Sequence, residues 1–340
     1  MHPAFLSITL IALAATSAQA QQWATLDDFL ERGIKLTAQQ RAALARGEIV
    51  GKQLPTGDVR NVAVFGAVQV EVPRTFFVER QRAFLRGGTP VPAHLFDDPP
   101  AAANVATIEV TEEDLKELRQ CKPNDCNFKL PASDMQALRP ADASGAEARA
   151  RVTALVKRRM LEFVADYRRR GNAAMLVVDD RGSVRSSDAL DAMLRDSSYA
   201  FRAFPSLGRW LLDYPKDTVA GATEAIYWAV DELPKVRPVL RIMHAVMYSP
   251  TDVQGVGMSV LAAKQIYANH YFEAGLEMLG AVDHPGVPNR ITLVAVRRLR
   301  FDNLPSGGVL NLRGRVRNAL QEDLVAELGR RKREYESARR

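Results

Sequence analysis

Tyr271–Val282 reads YFEAGLEMLGAV, and the spacing of its apolar residues decides the fold. Phe272, Ala274, Leu276, Met278, Gly280 and Val282 share one parity, while Glu273 and Glu277 share the other. A period of two belongs to a half-buried strand; a helix repeats every three or four residues. Ile291, Leu293, Ala295 and Leu299 repeat the pattern, with Thr292, Arg298 and Arg300 between them. Val239–Tyr248 is apolar at both parities, with Arg241 and His244 as exceptions. Gly257–Tyr267 is the weakest of the four, since Met258, Leu261, Ala262 and Ile266 also suit a helix. The spacing predicts four antiparallel strands, then a long amphipathic helix from about Val309 to the C-terminus. Its stripe is Val309, Leu312, Val316, Leu320, Leu324 and Leu328, which must bury against something, the preceding sheet being the obvious surface.

Working outward, Asn61–Val72 is the best strand elsewhere. Val62, Val64, Val68, Val70 and Val72 face one way, and Gly66 interrupts them, which predicts a bulge or a close backbone approach. Pro73 ends it, and Arg74–Leu85 follows as a helix. Glu147–Arg170 is a second helix, with Val152, Val156, Met160, Phe163, Val164 and Tyr167 on its apolar stripe. Ala174–Val178 reads as a short strand before the turn Asp179–Gly182. Ser187–Leu212 reads as one or two helices broken near Pro205, and Ala222–Val230 as a strand or a helix turn. Thr25 and Thr37 open two short helices that stop at Gly33 and Gly47. The expected organisation is a signal segment at 1–20, a helical arm at 21–57 and one α+β domain at 58–340. Within it, a proline-rich excursion at about 89–146 holds a strand-to-helix unit at Ala106–Arg119.

Ala4–Ala15 is apolar but too short to span a bilayer, and Ala18-Gln19-Ala20 is a signal-peptidase site, although the segment before it has no Lys or Arg. The expectation is an exported protein, periplasmic or extracellular and soluble after removal of the signal. In such a compartment Cys121 and Cys126, enclosing Lys122-Pro123-Asn124-Asp125, are expected to form a disulfide. Chain entropy for so short a loop gives about 2 kcal/mol. A zinc site would need two further ligands, so no metal and no cofactor is expected. The net charge of +6 over 340 residues is too modest to argue for nucleic acid. Arg330-Arg331-Lys332-Arg333, with Arg313, Arg315 and Arg317, suits a solvated face or a peripheral contact with an anionic membrane surface.

The sequence contains none of G-x-S-x-G, H-E-x-x-H, a Walker loop or G-x-G-x-x-G. His244, inside an apolar strand, is either a pocket-facing polar group or a hydrogen-bonded core histidine. His270 and Glu273 share a face only on a helix, so the strand reading separates them. Lys264 and Glu277 are read as the solvent face of antiparallel strands, unless one of them lies in a cavity.

The order of elements resembles the START-like, or polyketide-cyclase-like (SRPBCC), helix-grip superfamily. The residues that carry the resemblance are Val62–Pro73 with Gly66 inside, the strands Tyr271–Val282 and Ile291–Phe301, and the helix Val309–Leu328. It implies a curved antiparallel sheet wrapped around the last helix, with an apolar cavity for a lipid or other hydrophobic small molecule. Val64, Met243, Leu276, Leu293 and Leu320 would line that cavity, with His244 as its candidate polar group. The superfamily has no common catalytic residues, so none is implied. The expected function is non-enzymatic binding of an apolar or amphipathic ligand. The alternatives are an enzyme on the same scaffold, a cyclase or hydrolase using His244 or His270, and a structural envelope protein with a filled core.

Overall fold

In the computed structural model, all four stretches between Val239 and Phe301 are strands of one eight-stranded antiparallel sheet. The structure describes residues 25–88, 93–138, 145–196, 204–232, 237–250, 257–303 and 312–338. The signal segment at 1–20 and residues 309–311 of the expected last helix therefore lie outside the described residues.

The strands are β1 (Val50–Leu54), β2 (Asn61–Val70), β3 (Ala93–Leu95), the separate hairpin β4 and β5 (Val177–Val178, Val184–Arg185), β6 (Thr223–Asp231), β7 (Val239–Tyr248), β8 (Met258–Ala268), β9 (Phe272–Asp283) and β10 (Ile291–Phe301). The order across the large sheet is β1-β2-β10-β9-β8-β7-β6-β3. The helices are α1 (Leu26–Asp28, running into a π turn over Phe29–Gly33), α2 (Ala38–Ala45), α3 (Arg74–Leu85), α4 (Glu112–Gln120), α5 (Ala132–Leu138), α6 (Ala146–Arg170), α7 (Ser186–Arg195), α8 (Pro205–Asp213) and α9 (Leu312–Ala338). Ala222–Val230 is thus resolved as a strand, and Ser187–Leu212 as two helices with Pro205 opening the second. The strand-to-helix unit expected at Ala106–Arg119 is a helix only: Thr111 caps α4, while Ile108 and Val110 reach the core from irregular chain.

Both faces of the sheet are covered. On one, α3 lies across β6–β9, and α9 lies on β1 and β2 through Leu320, Leu324 and Leu328. On the other, α6, α7 and α8 pack against Ile226, Ile242, Val246, Ala262 and Leu276, while Leu30, Ile34 and Leu44 of the N-terminal arm cover Ala63, Phe65 and Ala67. Each buried aliphatic side chain stabilises this sandwich by roughly 1.5–3 kcal/mol.

Gly66 is the close approach that its place among valines predicts. A Cβ there would sit 2.6 Å from Leu328 Cδ1, and at its cross-strand partner Gly51 another would sit 2.5 Å from Val325 Cγ2. Two facing glycines make a bare patch on which α9 is seated.

Residues 110–138 form a lobe around Val110, Leu115, Leu118, Phe128, Leu130 and Met135, closed by Val152 of α6. The expected disulfide is present, Cys121–Cys126 with S–S 2.03 Å. Its loop is tied to the β4–β5 hairpin, where the Asn124 and Cys126 amides donate to the carbonyls of Asp179 and Asp180. No helix among the described residues is long and apolar enough to cross a membrane.

Candidate functional site: a groove between the sheet and the last helix

The C-terminal end of α9 is clamped. Tyr335 stacks edge-on against Phe76 of α3, ring centroids 5.3 Å apart, and its hydroxyl accepts from Gln81 at 2.7 Å. Arg80 pairs with Glu334 beside it. Towards the N-terminal end of α9 a groove of about 1150 Å³ opens over the sheet. Its apolar lining comes from Phe272, Leu299 and Phe301 below and Val316, Ala319 and Leu320 of α9 above. A narrower extension of about 210 Å³ continues under Phe84, Met243 and Leu324. Val230 and Leu312, at its edge, are 45% and 42% exposed, and few large apolar side chains here are as open.

A chain of charges crosses the floor where the two parts meet. Arg241, only 6% exposed at its side chain, donates through Nη1 to Asp231 (2.6 Å) and Glu277 (2.8 Å). Its Nε donates to Gln265 at 3.1 Å, and the guanidinium lies 5.8 Å from the centre of the Phe272 ring. Gly275 makes room for it, since a Cβ there would stand 3.1 Å from Nη2. Arg297, directly opposite Glu277 in the β9–β10 ladder, reaches up to Asp323 (2.6 Å) and Glu327 (2.9 Å) of α9, and Arg331 closes on Glu327 at 2.7 Å. Burial alone would raise the Glu277 carboxyl, but Arg241 and then Arg297 outweigh it and pull it down to about 2. Arg241, Arg297 and Arg331 each have a carboxylate partner, so the cations of this chain are paired within the protein. At the lobe end, His270 Nδ1 lies 2.7 Å from the Asn127 carbonyl, and burial lowers its pKa.

The six residues expected to line a cavity divide between the two faces. Leu320 lines the groove and Met243 its extension, while Val64 and Leu293 are buried on the same face. Leu276 and His244 lie on the opposite face, so the structure does not bring all six together. His244 is a hydrogen-bonded core histidine there. Its Nε2 is 3.2 Å from Glu224 Oε2 and its Nδ1 is 3.1 Å from the Tyr167 hydroxyl. A carboxylate only accepts, so Nε2 carries the proton and Nδ1 accepts from the phenol. Burial depresses its pKa to about 4, with Glu224 opposing and Lys264 reinforcing the fall.

Lys264 and Glu277 are not on a solvent face, because helices cover both sides of the sheet. Glu277 is in the groove floor. Lys264 is sealed beneath α8, its ammonium donating to Asn172 Oδ1 (2.9 Å) and the Leu211 carbonyl (3.1 Å). The rings of Trp210, Tyr214 and Tyr167 surround it at 4.8, 5.4 and 5.8 Å. Burial brings its pKa down to about 7, against the pull of Glu224 and Asp213. His270 and Glu273 do not meet, since Glu273 pairs with Arg300 at 2.9 Å.

Of the basic run on α9, Arg331 pairs with Glu327 and Lys332 donates to the Gln69 carbonyl at 2.7 Å; Arg330 and Arg333 point to solvent. Among the described residues no group of three or more His, Cys, Asp or Glu side chains is placed to hold a metal ion. Sequence reasoning flagged Arg241 and Glu277 separately and passed over Arg297. Glu277 and Arg297 are joined by opposite charge at facing positions of neighbouring strands, whereas Arg241 reaches Glu277 across β8. Compared with protein-family models, curated proteins and solved structures, the chain matches none.

Proposed function

We propose that this is an exported protein that binds an apolar or amphipathic, lipid-like ligand in the groove under its last helix. The observation that carries the reading is the groove itself, about 1150 Å³ with Phe272, Leu299 and Phe301 on the sheet side, Leu320 on the helix side and the Arg241–Glu277–Arg297 chain on its floor. Its size falls at the upper end of small-molecule sites, and its mixture of apolar wall and few fixed polar groups is the usual recipe for one. The relation of sheet to last helix is, in this reading, of the START-like helix-grip kind, supported by the antiparallel sheet and the helix seated on the Gly66 strand. Export is supported by the disulfide between Cys121 and Cys126. An enzymatic reading has less support, because His244 and His270 lie apart and each is engaged within the protein.

The test is displacement of a fluorescent fatty-acid probe from the purified protein, paired with native mass spectrometry of material from its own envelope. Ala319→Trp, which fills the groove from α9, is expected to weaken the probe at least tenfold while leaving the fold intact by circular dichroism. Absence of probe binding, or binding indifferent to Ala319→Trp, overturns the proposal.

A further inference from the structure

The opposite face of the sheet holds a second hollow, separate from the groove, of about 500 Å³. Three elements far apart in sequence wall it. α6 supplies Val156, Met160 and Phe163, the disulfide lobe supplies Phe128 and Leu130 with Ile108 just before it, and the sheet supplies Leu240, Ile242 and Tyr267. This inner wall is largely apolar and suits an apolar guest, while eight charged side chains, among them Glu109, Asp134, Arg159 and Asp166, line the mouth.

Two polar residues lie on the inner wall: Asn269, whose Oδ1 accepts from the Leu240 amide at 2.9 Å, and Tyr267, which the backbone aims. In the β7–β8 ladder Ile242 pairs with Tyr267 but Met243 pairs with Gln265, so Ile266 is an extra residue, a bulge. The bulge breaks the alternation and puts Ile266 and Tyr267 on the same, α6-facing side. The Tyr267 ring lies 6.2 Å from Phe163 of α6. Among the described residues its hydroxyl has no hydrogen-bond partner, and burial raises its pKa first, with Asp134 and Asp180 adding to the rise. It therefore stays a neutral donor.

The rim is charged but internally matched. Arg159 pairs with Asp134 at 3.2 Å, and Arg169 and Arg170 both pair with Asp166. These pairs stand at the mouth, and the inner wall formed by α6, β7 and β8 carries no charged side chain.

From this cavity we infer that the protein carries a second binding site, between α6, the disulfide lobe and β8, for an uncharged hydrophobic molecule bearing one hydrogen-bond acceptor, which Tyr267 receives. A ketone, ester or ether on a ring system of roughly 15–25 heavy atoms has the right chemistry and size for such a cavity. The site is independent of the groove, so each can fail without the other.

The neutral naphthyl ketone prodan is a suitable probe, because its emission moves to the blue in apolar surroundings and back to the red when its carbonyl is hydrogen-bonded. Wild-type protein is expected to bind it, and Met160→Trp, which fills the hollow, to weaken binding more than tenfold. Val156→Trp is scored in the same way should Met160→Trp not fold. Tyr267→Phe is expected to weaken binding by about three- to tenfold, the worth of one hydrogen bond, with a further blue shift of the bound emission. The groove-filling Ala319→Trp leaves prodan binding unchanged. Absence of binding, or binding that Ala319→Trp abolishes and the two α6 variants spare, overturns the site. Binding lost in the α6 variants but untouched in affinity and colour by Tyr267→Phe overturns the assignment of an acceptor-bearing ligand.

Discussion

Two sites on opposite faces of the sheet bury charge in opposite manners. Beneath α9, Arg241, Arg297 and Arg331 stand against Asp231, Glu277 and Glu327, cation to carboxylate, and beside them the chain leaves a groove. Beneath α8, Lys264 has no carboxylate in contact among the described residues. Carbonyl oxygens at the end of the helix, an asparagine and three aromatic rings hold it instead, and that space is filled. A cation paired with carboxylates stays ionised when buried, whereas one held by dipoles and rings is neutralised easily. The groove site is therefore built to keep its charges over a wide pH range, and the Lys264 site under α8 to lose its charge near neutrality.

The largest effect that probes this difference is the pH dependence of stability due to Lys264. Its folded pKa of about 7 lies below the ordinary 10.5, so between those values the unfolded chain holds a proton that the folded chain lacks. Stability should rise with pH through that window by about 3–5 kcal/mol in total, and be lowest below it. Denaturant titrations at pH 6, 8 and 10 should show the rise in wild-type protein and a nearly flat response in Lys264→Met. A wild-type profile as flat as the variant's would break the comparison.

On the groove face the corresponding effect is packing, not titration. Leu324→Ala and Leu328→Ala should each lose about 2–5 kcal/mol, with little change in slope against pH. Melting temperatures of the two variants at pH 6 and pH 9 measure both statements together.

His244 sharpens the account of the α8 face. Its folded pKa of about 4 is below the ordinary 6.5, so its contribution is present above pH 6.5 and is lost as pH falls towards 4, by about 3 kcal/mol at most. Imidazole resonances should show His244 still neutral at pH 5.5. A charged ring at that pH would mean that water reaches the site.

The smallest effect is expected at Leu312, which is 42% exposed over the groove. Leu312→Ala should change stability by less than about 0.5 kcal/mol. It should nonetheless weaken the fatty-acid probe, separating a wall of the groove from a support of the fold.

Much of this was legible in the sequence. The period of two in Val239–Phe301, the valine face of β2 and the stripe of α6 each specify an element by themselves, because burial of one face writes a repeat into the chain. β1 was not legible: Val50-Gly51-Lys52-Gln53-Leu54 has only two apolar residues, and its pairing with β2 is visible only in three dimensions. The second layer of helices left no mark on the strands it covers. Lys264 and Glu277, on opposite faces, each look in their own strand like a charge set towards water, and nothing local distinguishes a solvated charge from one sealed under Trp210 or paired with Arg241. For the same reason Leu276 and His244 could not be told from groove residues. A strand gives parity, while the partner of each parity comes from elements a hundred residues away.

The seat of α9 on Gly51 and Gly66 has a mechanical meaning. The helix is held at Leu324, Leu328 and Tyr335 and again near its start, where Arg313 donates to the Val59 carbonyl at 2.9 Å, so it is a beam fixed at both ends. Sixteen residues separate Leu328 from Leu312, a span of roughly 24 Å at the rise of an α-helix. A methyl group added at either glycine lifts the beam off its seat. The width of the groove is thus governed by two positions that do not touch it.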